Sequence, residues 1–257
     1  MIVAERHQHI LRIVNEKGSV RVAELSQLCR VTEETIRRDL DRLEGEGRLQ
    51  RSYGGAMRVG QQTTQTHETP YLLREAVHVE EKQHIALEAA KFVEANDRIV
   101  LDASTTAWHL AAQLPDIPLT VLTNSLKVAY VLSEKKNVTV ISTGGTLVPN
   151  SLSFVGPLAE QSLEEYYVDK AFISCQGAHM ERGISESNEL QARVKRKMIG
   201  MAAQVFLLAD YSKFNTQAFM TITSWDRIDR LITDTQTPAE DVLQLRRRSI
   251  DVIQLQE

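Results

Sequence analysis

The sequence predicts two folded units of different class: an N-terminal winged helix-turn-helix, and a larger C-terminal α/β domain built on a mainly parallel sheet. Three observations predict it. The chain has 257 residues, about twice the usual length of one domain. Residues 5–46 carry three apolar patterns of helical period close together. From residue 80 onward, short Val/Ile/Leu-rich runs alternate with helical segments, the sequence form of βαβ units. A hydrophobic share of 42% and a charged share of 25% fit a globular chain with a real core. No run approaches the ~18 uncharged apolar residues of a membrane span. Glu5, Arg6, His7 and His9 interrupt the start of the chain, so no signal peptide is expected. Cys29 and Cys175 lie far apart without CxxC or His-rich spacing, so neither a disulfide framework nor a metal site is expected, and a reducing cytoplasm fits best.

Charge separates the two units. The chain carries 30 Lys+Arg against 34 Asp+Glu, a net −4 that by itself points away from nucleic acid. Residues 1–60 hold 11 of the basic and 9 of the acidic residues, a balance of +2, and the remainder balances at −6. Between them, Gly60-Gln-Gln-Thr-Thr-Gln-Thr-His-Glu-Thr-Pro70 is polar, aperiodic and closed by a proline, the composition of a linker. The expected organisation is a head at 1–58, a linker at 59–79 and a body at 80–257.

In the head, the first helix is expected from Glu5 to about Glu16, with Ile10, Leu11, Ile13 and Val14 inward and Gly18 as its stop. The second, near Val22–Leu28, carries Val22, Leu25 and Leu28 at helical spacing. After Cys29-Arg30-Val31, Thr32 is placed to cap a third helix whose first turn holds Glu33 and Glu34, where the helix dipole favours negative charge. That helix buries Ile36, Leu40 and Leu43, and Gly47 follows its last turn. Its opposite face presents Glu34, Arg38, Asp41 and Arg42, flanked by Thr35 and Arg37. Such a helix enters the DNA major groove, where Arg37 and Arg38 can donate to guanine or clamp phosphate and Thr35 can reach either. Arg48-Leu-Gln-Arg51-Ser-Tyr53-Gly54-Gly55 alternates briefly and then turns, as a β-wing would, with Arg48 and Arg51 near phosphates. An Arg-Arg pair is also what an ordinary solvated helix face carries. The capped helix, the short turn and the basic wing together favour DNA.

In the body, strands are expected at Arg98–Asp102, Thr120–Asn124, Val138–Thr143, Lys170–Cys175, Gln204–Asp210 and Arg230–Asp234. Parallel sheets bind ligands beyond the carboxyl ends of their strands, and those ends are polar here. Asp102, Ser104, Thr105 and Thr106 follow the first strand, and Thr123, Asn124 and Ser125 follow the second. Gly144 and Gly145 follow the third, with Ser151 and Ser153 beyond them. Gly177 follows the fourth, Glu189 sits near a helix start, and Asp210 and Lys213 follow the fifth. Each motif alone is equally a plain cap or turn, and Lys195, Arg196 and Lys197 read most simply as one solvated helix face. Convergence points further. Hydroxyls and carboxylates suit a polyhydroxylated ligand, and a helix N-terminus with a lysine suits its phosphate, so a phosphorylated sugar is the inferred ligand.

The head residues Thr35-Ile-Arg-Arg-Asp-Leu40, Leu43-Glu44, Gly47, Arg51 and Gly54-Gly55-Ala56 resemble the signature of the DeoR family of bacterial transcriptional regulators. The resemblance implies a recognition helix over about Glu33–Glu46, and Tyr53 departs from the histidine many members carry. In the body, Asp102 through Thr106, Thr123-Asn124-Ser125, Gly144-Gly145, Ser153-Phe-Val-Gly156, Lys170-Ala-Phe, Gly183-Ile, Glu189, Lys195, Leu208-Ala-Asp210 and Ser212-Lys213-Phe214 are similar to that family's effector domain. This implies a ribose-phosphate isomerase-like fold serving as a sensor of phosphorylated sugars, with Glu189 and Lys195 among its effector-site residues. Asp102-Ala-Ser-Thr-Thr-Ala-Trp108 with Leu114-Pro115-Asp116 looks most like regulators of 6-deoxyhexose use.

The expected function is therefore a sequence-specific regulator. It would repress a sugar-catabolism operon by holding double-stranded operator DNA through Thr32, Glu34, Thr35, Arg37, Arg38, Arg42, Arg48, Arg51, Tyr53 and Gly54. A phosphorylated sugar effector would relieve it, acting as a homo-oligomer (dimer or tetramer) without cofactor, metal or membrane. The alternative is a sugar-phosphate isomerase or deaminase with Asp102, Glu189 and Asp210 as general bases and Lys213 on the phosphate. It leaves the DNA-reading head unexplained. A constitutive DNA-binding protein with a purely structural body is the third reading.

Overall fold

A computed structural model describes residues 3–17, 19–45, 48–52, 55–58 and 68–256. The chain divides into two compact units, residues 1–64 and 65–257. In the first, α1 (Val3–Lys17) leads through β1 (Ser19–Arg21) into α2 (Val22–Cys29), and α3 (Glu33–Gly45) follows. The wing is β2 (Leu49–Ser52) and β3 (Gly55–Arg58), antiparallel with Ser52 opposite Gly55, and β1 joins on the other edge of β3. The expected Gly18, Gly47, Tyr53 and Gly54 positions lie outside the described residues. Ile10, Val14, Val22, Leu25, Ile36, Leu40 and Leu43 form one core, as the helical spacing predicts. Leu28 does not join it: it is 46% exposed, and Cys29 turns inward instead. With Leu25 facing the core, a residue four positions on completes the stripe better than one three positions on.

The inward turn of α3 also holds a charge. Asp39 is buried and accepts from Arg6 Nε at 2.5 Å and Nη2 at 3.0 Å, and lies 3.0 Å from His7 Nε2. Burial opposes its charge, but the hydrogen bonds from Arg6 and His7 outweigh it and hold the carboxyl below its ordinary range. This cluster pins α3 to α1 with a definite rotation, so that Arg37 and Arg38 face outward.

The second unit contains α4 (Tyr71–Glu75), α5 (Val79–Ala90), β4 (Arg98–Leu101), α6 (Thr105–Gln113), β5 (Leu119–Thr123), α7 (Leu126–Leu132) and β6 (Val138–Ser142). It continues with β7 (Thr146–Val148), β8 (Ser153–Val155), α8 (Pro157–Glu164), β9 (Val168–Ile173), β10 (Gly177–His179) and β11 (Gly183–Glu186). It ends with α9 (Glu189–Gly200), β12 (Ala202–Leu208), β13 (Met220–Thr223), β14 (Arg230–Thr233), α10 (Ala239–Arg247) and β15 (Asp251–Gln254). Seven strands form a parallel sheet in the order β15-β14-β12-β9-β4-β5-β6. Alternate residues face opposite layers. Ile99, Leu101, Val121, Phe172 and Phe206 pack against α5, α6 and α7, and Val100, Leu122, Ala171 and Leu207 against α8, α9 and α10.

All six expected strands are present. The seventh, β15, escapes sequence reading because Asp251–Gln254 is a four-residue edge run with one fully inward residue, Val252. The hairpin β7–β8 and the antiparallel trio β10-β11-β13 are built from runs of three or four residues within what read as loops. Residues 68–79, expected as linker, are part of the second unit: Tyr71 is 1% exposed, and its backbone N–H donates to the Asn150 carbonyl at 2.7 Å.

Removing one partner from a buried ion pair strands the other. Asp39→Ala is expected to destabilise the first unit by about 3 kcal/mol, read as a fall in its unfolding free energy in urea. A change below ~0.5 kcal/mol, the size typical of surface substitutions, would mean that the cluster does not hold the helices.

Candidate functional site

Two candidate surfaces lie on different units. On the first unit, Thr32 caps α3, its hydroxyl accepting the Thr35 N–H at 3.3 Å and meeting the Thr35 hydroxyl at 2.9 Å. Glu34, Arg37, Arg38 and Arg42 are exposed, with the Arg38 side chain at 79%. Arg37 lies 2.9 Å from the Glu33 carboxylate and 3.7 Å from that of Glu34, and Arg38 Nε is 3.4 Å from Glu34. Exposed pairs of this kind are worth only ~0.3–0.5 kcal/mol, so either guanidinium can leave its partner for a phosphate or a guanine edge at little cost. Arg48 is exposed before the wing and Arg51 lies on β2, while Tyr53 and Gly54 fall outside the described residues.

On the second unit, polar groups gather at the carboxyl ends of the parallel strands. After β4, Asp102 is fully buried. Its Oδ1 accepts the Ser104 N–H at 3.0 Å, and its Oδ2 accepts the Ser174 N–H at 2.8 Å and lies 3.1 Å from Lys195 Nζ. Lys195 also donates to Glu186 Oε2 and to the Ser174 carbonyl, each at 2.7 Å. Burial disfavours this ammonium, but Asp102 and Glu186 more than offset that and raise it above an ordinary lysine. Ser104 caps α6 by accepting the Ala107 N–H at 3.0 Å, with Thr105 and Thr106 buried in the first turn. After β5, Thr123 accepts the Ser125 N–H at 3.0 Å, Ser125 caps α7, and Asn124 donates to the Phe154 carbonyl at 3.0 Å. After β12, Asp210 Oδ1 accepts the Ser212 N–H at 3.0 Å, and its Oδ2 lies 3.9 Å from Lys213 Nζ.

The expected residues thus divide. Asp102, Ser104, Thr105, Thr106, Thr123, Asn124, Ser125, Lys195, Asp210 and Lys213 lie at the same end of the sheet, with Asp102 touching Lys195 and Asp210 facing Lys213. The solvated-face reading of Lys195 fails, since its side chain is 6% exposed, whereas Lys197 on the same helix is 40% exposed and pairs with Glu164. Glu189 does not join them: it is half exposed and paired to Arg193 Nη2 at 2.6 Å along α9. Ser151 and Ser153 are buried 2.8 Å apart and both accept from Gln191 Nε2. Gly177 is needed for packing, because a Cβ there would sit 2.5 Å from the Thr216 carbonyl oxygen. Gly145, with φ +105°, would place one 2.8 Å from that of Val155. Gly144 at φ +62° has open space above it.

Sequence reading missed Glu186, Lys82, His109 and the segment holding Glu68 and Tyr71. For Lys82 the signal was available: it falls three, four and seven residues before Ile85, Ala86 and Ala89, on the buried face of α5. Its ammonium donates to the Arg74 carbonyl at 2.6 Å and to the Val77 carbonyl, and burial, with Lys213 nearby, lowers its pKa to about 8. Among the described residues, the buried side-chain atoms without a hydrogen-bond partner are Glu68 Oε2, Tyr71 Oη, His109 Nε2, Asn124 Oδ1 and Asp210 Oδ2. No three His, Cys, Asp or Glu side chains among the described residues are grouped to hold a metal. No helix there is long and apolar enough to cross a membrane. An open cavity of 540 Å³ lies between Tyr71 and the turn carrying Pro149 and Leu152; its lining is largely carbon and uncharged, which does not fit a phosphorylated ligand.

Comparisons with known proteins agree with this geometry. Residues 77–235 match the family described as DeoR C terminal sensor domain, and residues 6–62 the DeoR-like helix-turn-helix domain. The chain belongs to the DeoR family. It is 52% identical to the uncharacterised HTH-type transcriptional regulator YulB of Bacillus subtilis, over 98% of this chain and 96% of that one. It is 37% identical to the L-fucose operon activator of Haemophilus influenzae, over 91% and 92%. Among solved structures, ribose 5-phosphate isomerase A of Methanocaldococcus jannaschii overlays 52% of this chain and 53% of its own at a TM-score of 0.39 and 17% identity, a likeness that carries no functional weight. As a DeoR-family member with the family's helix-turn-helix and sensor domains, the protein is a DNA-binding transcriptional regulator and not an enzyme.

The buried ammonium of Lys82 gives a direct check on this packing. With the lysines ¹³C-methylated, one NMR resonance is expected to titrate near pH 8, Lys82 losing its charge as pH rises through that value while surface lysines titrate near ~10.4. A spectrum in which every lysine titrates above pH 10 would contradict the placement.

Proposed function

We propose that this regulator is a repressor of a sugar-catabolism operon, relieved when a phosphorylated sugar binds at the strand ends of the sensor domain. One observation carries the reading: Asn124 and Asp210, after β5 and β12, keep buried oxygens without hydrogen-bond partners at the end of the sheet where α6 starts with its hydroxyl residues, and Asp210 Oδ2 lies 3.9 Å from the ammonium of Lys213. Buried polar atoms are ordinarily satisfied, and a polyhydroxylated ligand supplies the missing donors. Its phosphate is placed at Lys213 and the first turn of α6, where Thr105 and Thr106 stand.

The likeness to an L-fucose operon regulator favours a 6-deoxyhexose-derived ligand, a ketose 1-phosphate being the form that joins polyol and phosphate. Thr32, Thr35, Arg37, Arg38, Arg42, Arg48 and Arg51 are assigned to operator contacts. A homo-oligomer is required because two recognition helices must sit about one DNA turn apart, and such a protein acts where the chromosome is, in the cytoplasm. The ligand can release DNA only by binding one arrangement of the protein more tightly than the other.

The test is a fluorescence-anisotropy titration of the full chain on DNA from upstream of its own gene, with and without deoxyketose 1-phosphates and fructose 1-phosphate. Weaker operator binding in the presence of one of them is expected; unchanged affinity with all of them rejects the sugar-phosphate reading. In the same assay Arg38→Ala should weaken operator binding by about 5- to 150-fold, the cost of ~1–3 kcal/mol for a lost base or phosphate contact. Parental affinity would remove Arg38 from the interface. Lys213→Ala should bind the operator normally yet lose the response to ligand, and a retained response would place the phosphate elsewhere.

A further inference from the structure

We propose that the short strap at the entrance of the sensor domain, residues 68–75, forms one wall of the effector site, with the Tyr71 hydroxyl and one oxygen of the Glu68 carboxylate as ligand contacts. The inference rests on the sugar-phosphate reading of the strand ends and adds to it the segment that the sequence presents as linker.

The strap is fixed by bonds that use neither of those atoms. Asn150 Nδ2 donates to the Glu68 carbonyl at 2.6 Å, and the Tyr71 N–H to the Asn150 carbonyl at 2.7 Å. Arg74 Nε donates to the Thr69 carbonyl at 3.0 Å, Lys82 Nζ to the Arg74 carbonyl at 2.6 Å, and Lys127 lies 3.3 Å from Glu75. Tyr71 is 1% exposed and Glu68 8%, yet Tyr71 Oη and Glu68 Oε2 have no hydrogen-bond partner. The other Glu68 oxygen is 3.5 Å from Arg74 Nη2.

Charged groups of the strand-end cluster act on both side chains. Burial raises the Tyr71 pKa, with Glu75, Arg74 and Asp102 acting on it. Burial likewise raises that of Glu68, with Arg74, Glu186 and Lys195 acting on it and the Ser151 hydroxyl beside it. A phenylalanine would pack as well as Tyr71 does and leave no hydroxyl desolvated, so the fold alone gives no reason for the oxygen. The chemistry assigns the end of the ligand. A carboxylate and a phenol exchange hydrogen bonds with hydroxyls, so Glu68 and Tyr71 take the polyol end, and the ammonium of Lys213 draws the phosphate.

The test uses the full-length protein, as wild type, Tyr71→Phe and Glu68→Gln. Two quantities are measured: the melting temperature without ligand, and calorimetric affinity for L-fuculose 1-phosphate, L-rhamnulose 1-phosphate, D-fructose 1-phosphate and inorganic phosphate. Tyr71→Phe is expected to melt within about 1 °C of wild type or above it, because its hydroxyl supports no bond of the fold. It should weaken the sugar phosphate by about 10-fold, the value of ~1.4 kcal/mol for one hydrogen bond, and leave inorganic phosphate unchanged. Glu68→Gln removes the charge facing Arg74 and is expected to melt below wild type, so its readout is affinity: the same weakening of the sugar phosphate with inorganic phosphate unchanged. A fall of more than about 2 °C in ligand-free Tyr71→Phe, the lower end of what a lost ~1 kcal/mol contact causes in a domain of this size, would assign the hydroxyl to the fold and overturn the proposal. Unaltered sugar-phosphate affinity in both variants would overturn it equally. If wild type binds none of the sugar phosphates, the effector class fails instead. The ligand-free melting temperature of Tyr71→Phe then decides the strap alone, parity supporting it and a fall rejecting it.

Discussion

The arrangement of the sensor's strand ends depends on one buried ammonium. Lys195 reaches from α9 to Asp102 after β4, to the Ser174 carbonyl after β9 and to Glu186 at the end of β11, all within 3.1 Å. Taking such a charge out of water costs several kcal/mol, which is recovered only when its partners keep their places. Two carboxylates against one ammonium leave an excess negative charge. Backbone N–H groups take it up: Ser104 and Ser174 donate to Asp102, and Ser187 donates to Glu186 at 2.9 Å. The strands are thereby fixed in register at the end where a ligand would arrive. Asp102 is consumed in doing so. Ser104, Thr105 and Thr106 then start α6 at a defined point, and Asn124 and Asp210 follow β5 and β12 at the same end of the sheet.

In the DNA-reading unit a buried charge does the same work with fewer parts. Asp39, Arg6 and His7 fix the rotation of α3, and the neighbouring residues Arg37 and Arg38 are thereby sent outward. The outward arginines are matched by Glu33 and Glu34, which accounts for the small +2 balance of residues 1–60. A face so nearly neutral attracts phosphate weakly from a distance, so any choice among DNA sequences must rest on individual contacts more than on bulk attraction.

Periodicity made most of the fold legible. Ile36, Leu40 and Leu43 placed α3, and the six Val/Ile/Leu runs placed six of seven strands, because burying one face or both imposes a pattern that survives in the sequence. β4 and β14 are as short, but each is an interior strand with three consecutive buried residues; β7, β8, β10, β11, β13 and β15 pair off the main sheet or at its edge, and their three or four residues carry no comparable apolar run. Leu28 and Lys195 show a second limit. Apolarity argued for burying Leu28 and charge argued against burying Lys195, but the turn of the helix and a pair of distant carboxylates decided otherwise. The strap was missed because Thr69-Pro70 reads as the close of a linker, while the contacts that hold it come from Asn150 and Lys127, far along the chain, and from the buried Lys82 of the next helix.

The candidate ligand residues expose a distinction that residue type cannot carry. Ser104, Thr123, Ser125, Ser151 and Ser153 have the hydroxyls a sugar would want, yet each already bonds a backbone N–H or Gln191 inside the protein. Asn124 and Asp210 are the same kind of polar residue at the same kind of position, and each has one atom satisfied and one left over. The first group shapes the loops and the second has capacity to spare. Both produce identical sequence patterns, because a cap and a ligand contact demand the same short polar side chain after a strand. Only the hydrogen-bond accounting separates them, and it leaves Asp210 and Asn124 each with a buried oxygen to spare while the hydroxyls of the rim are already in use.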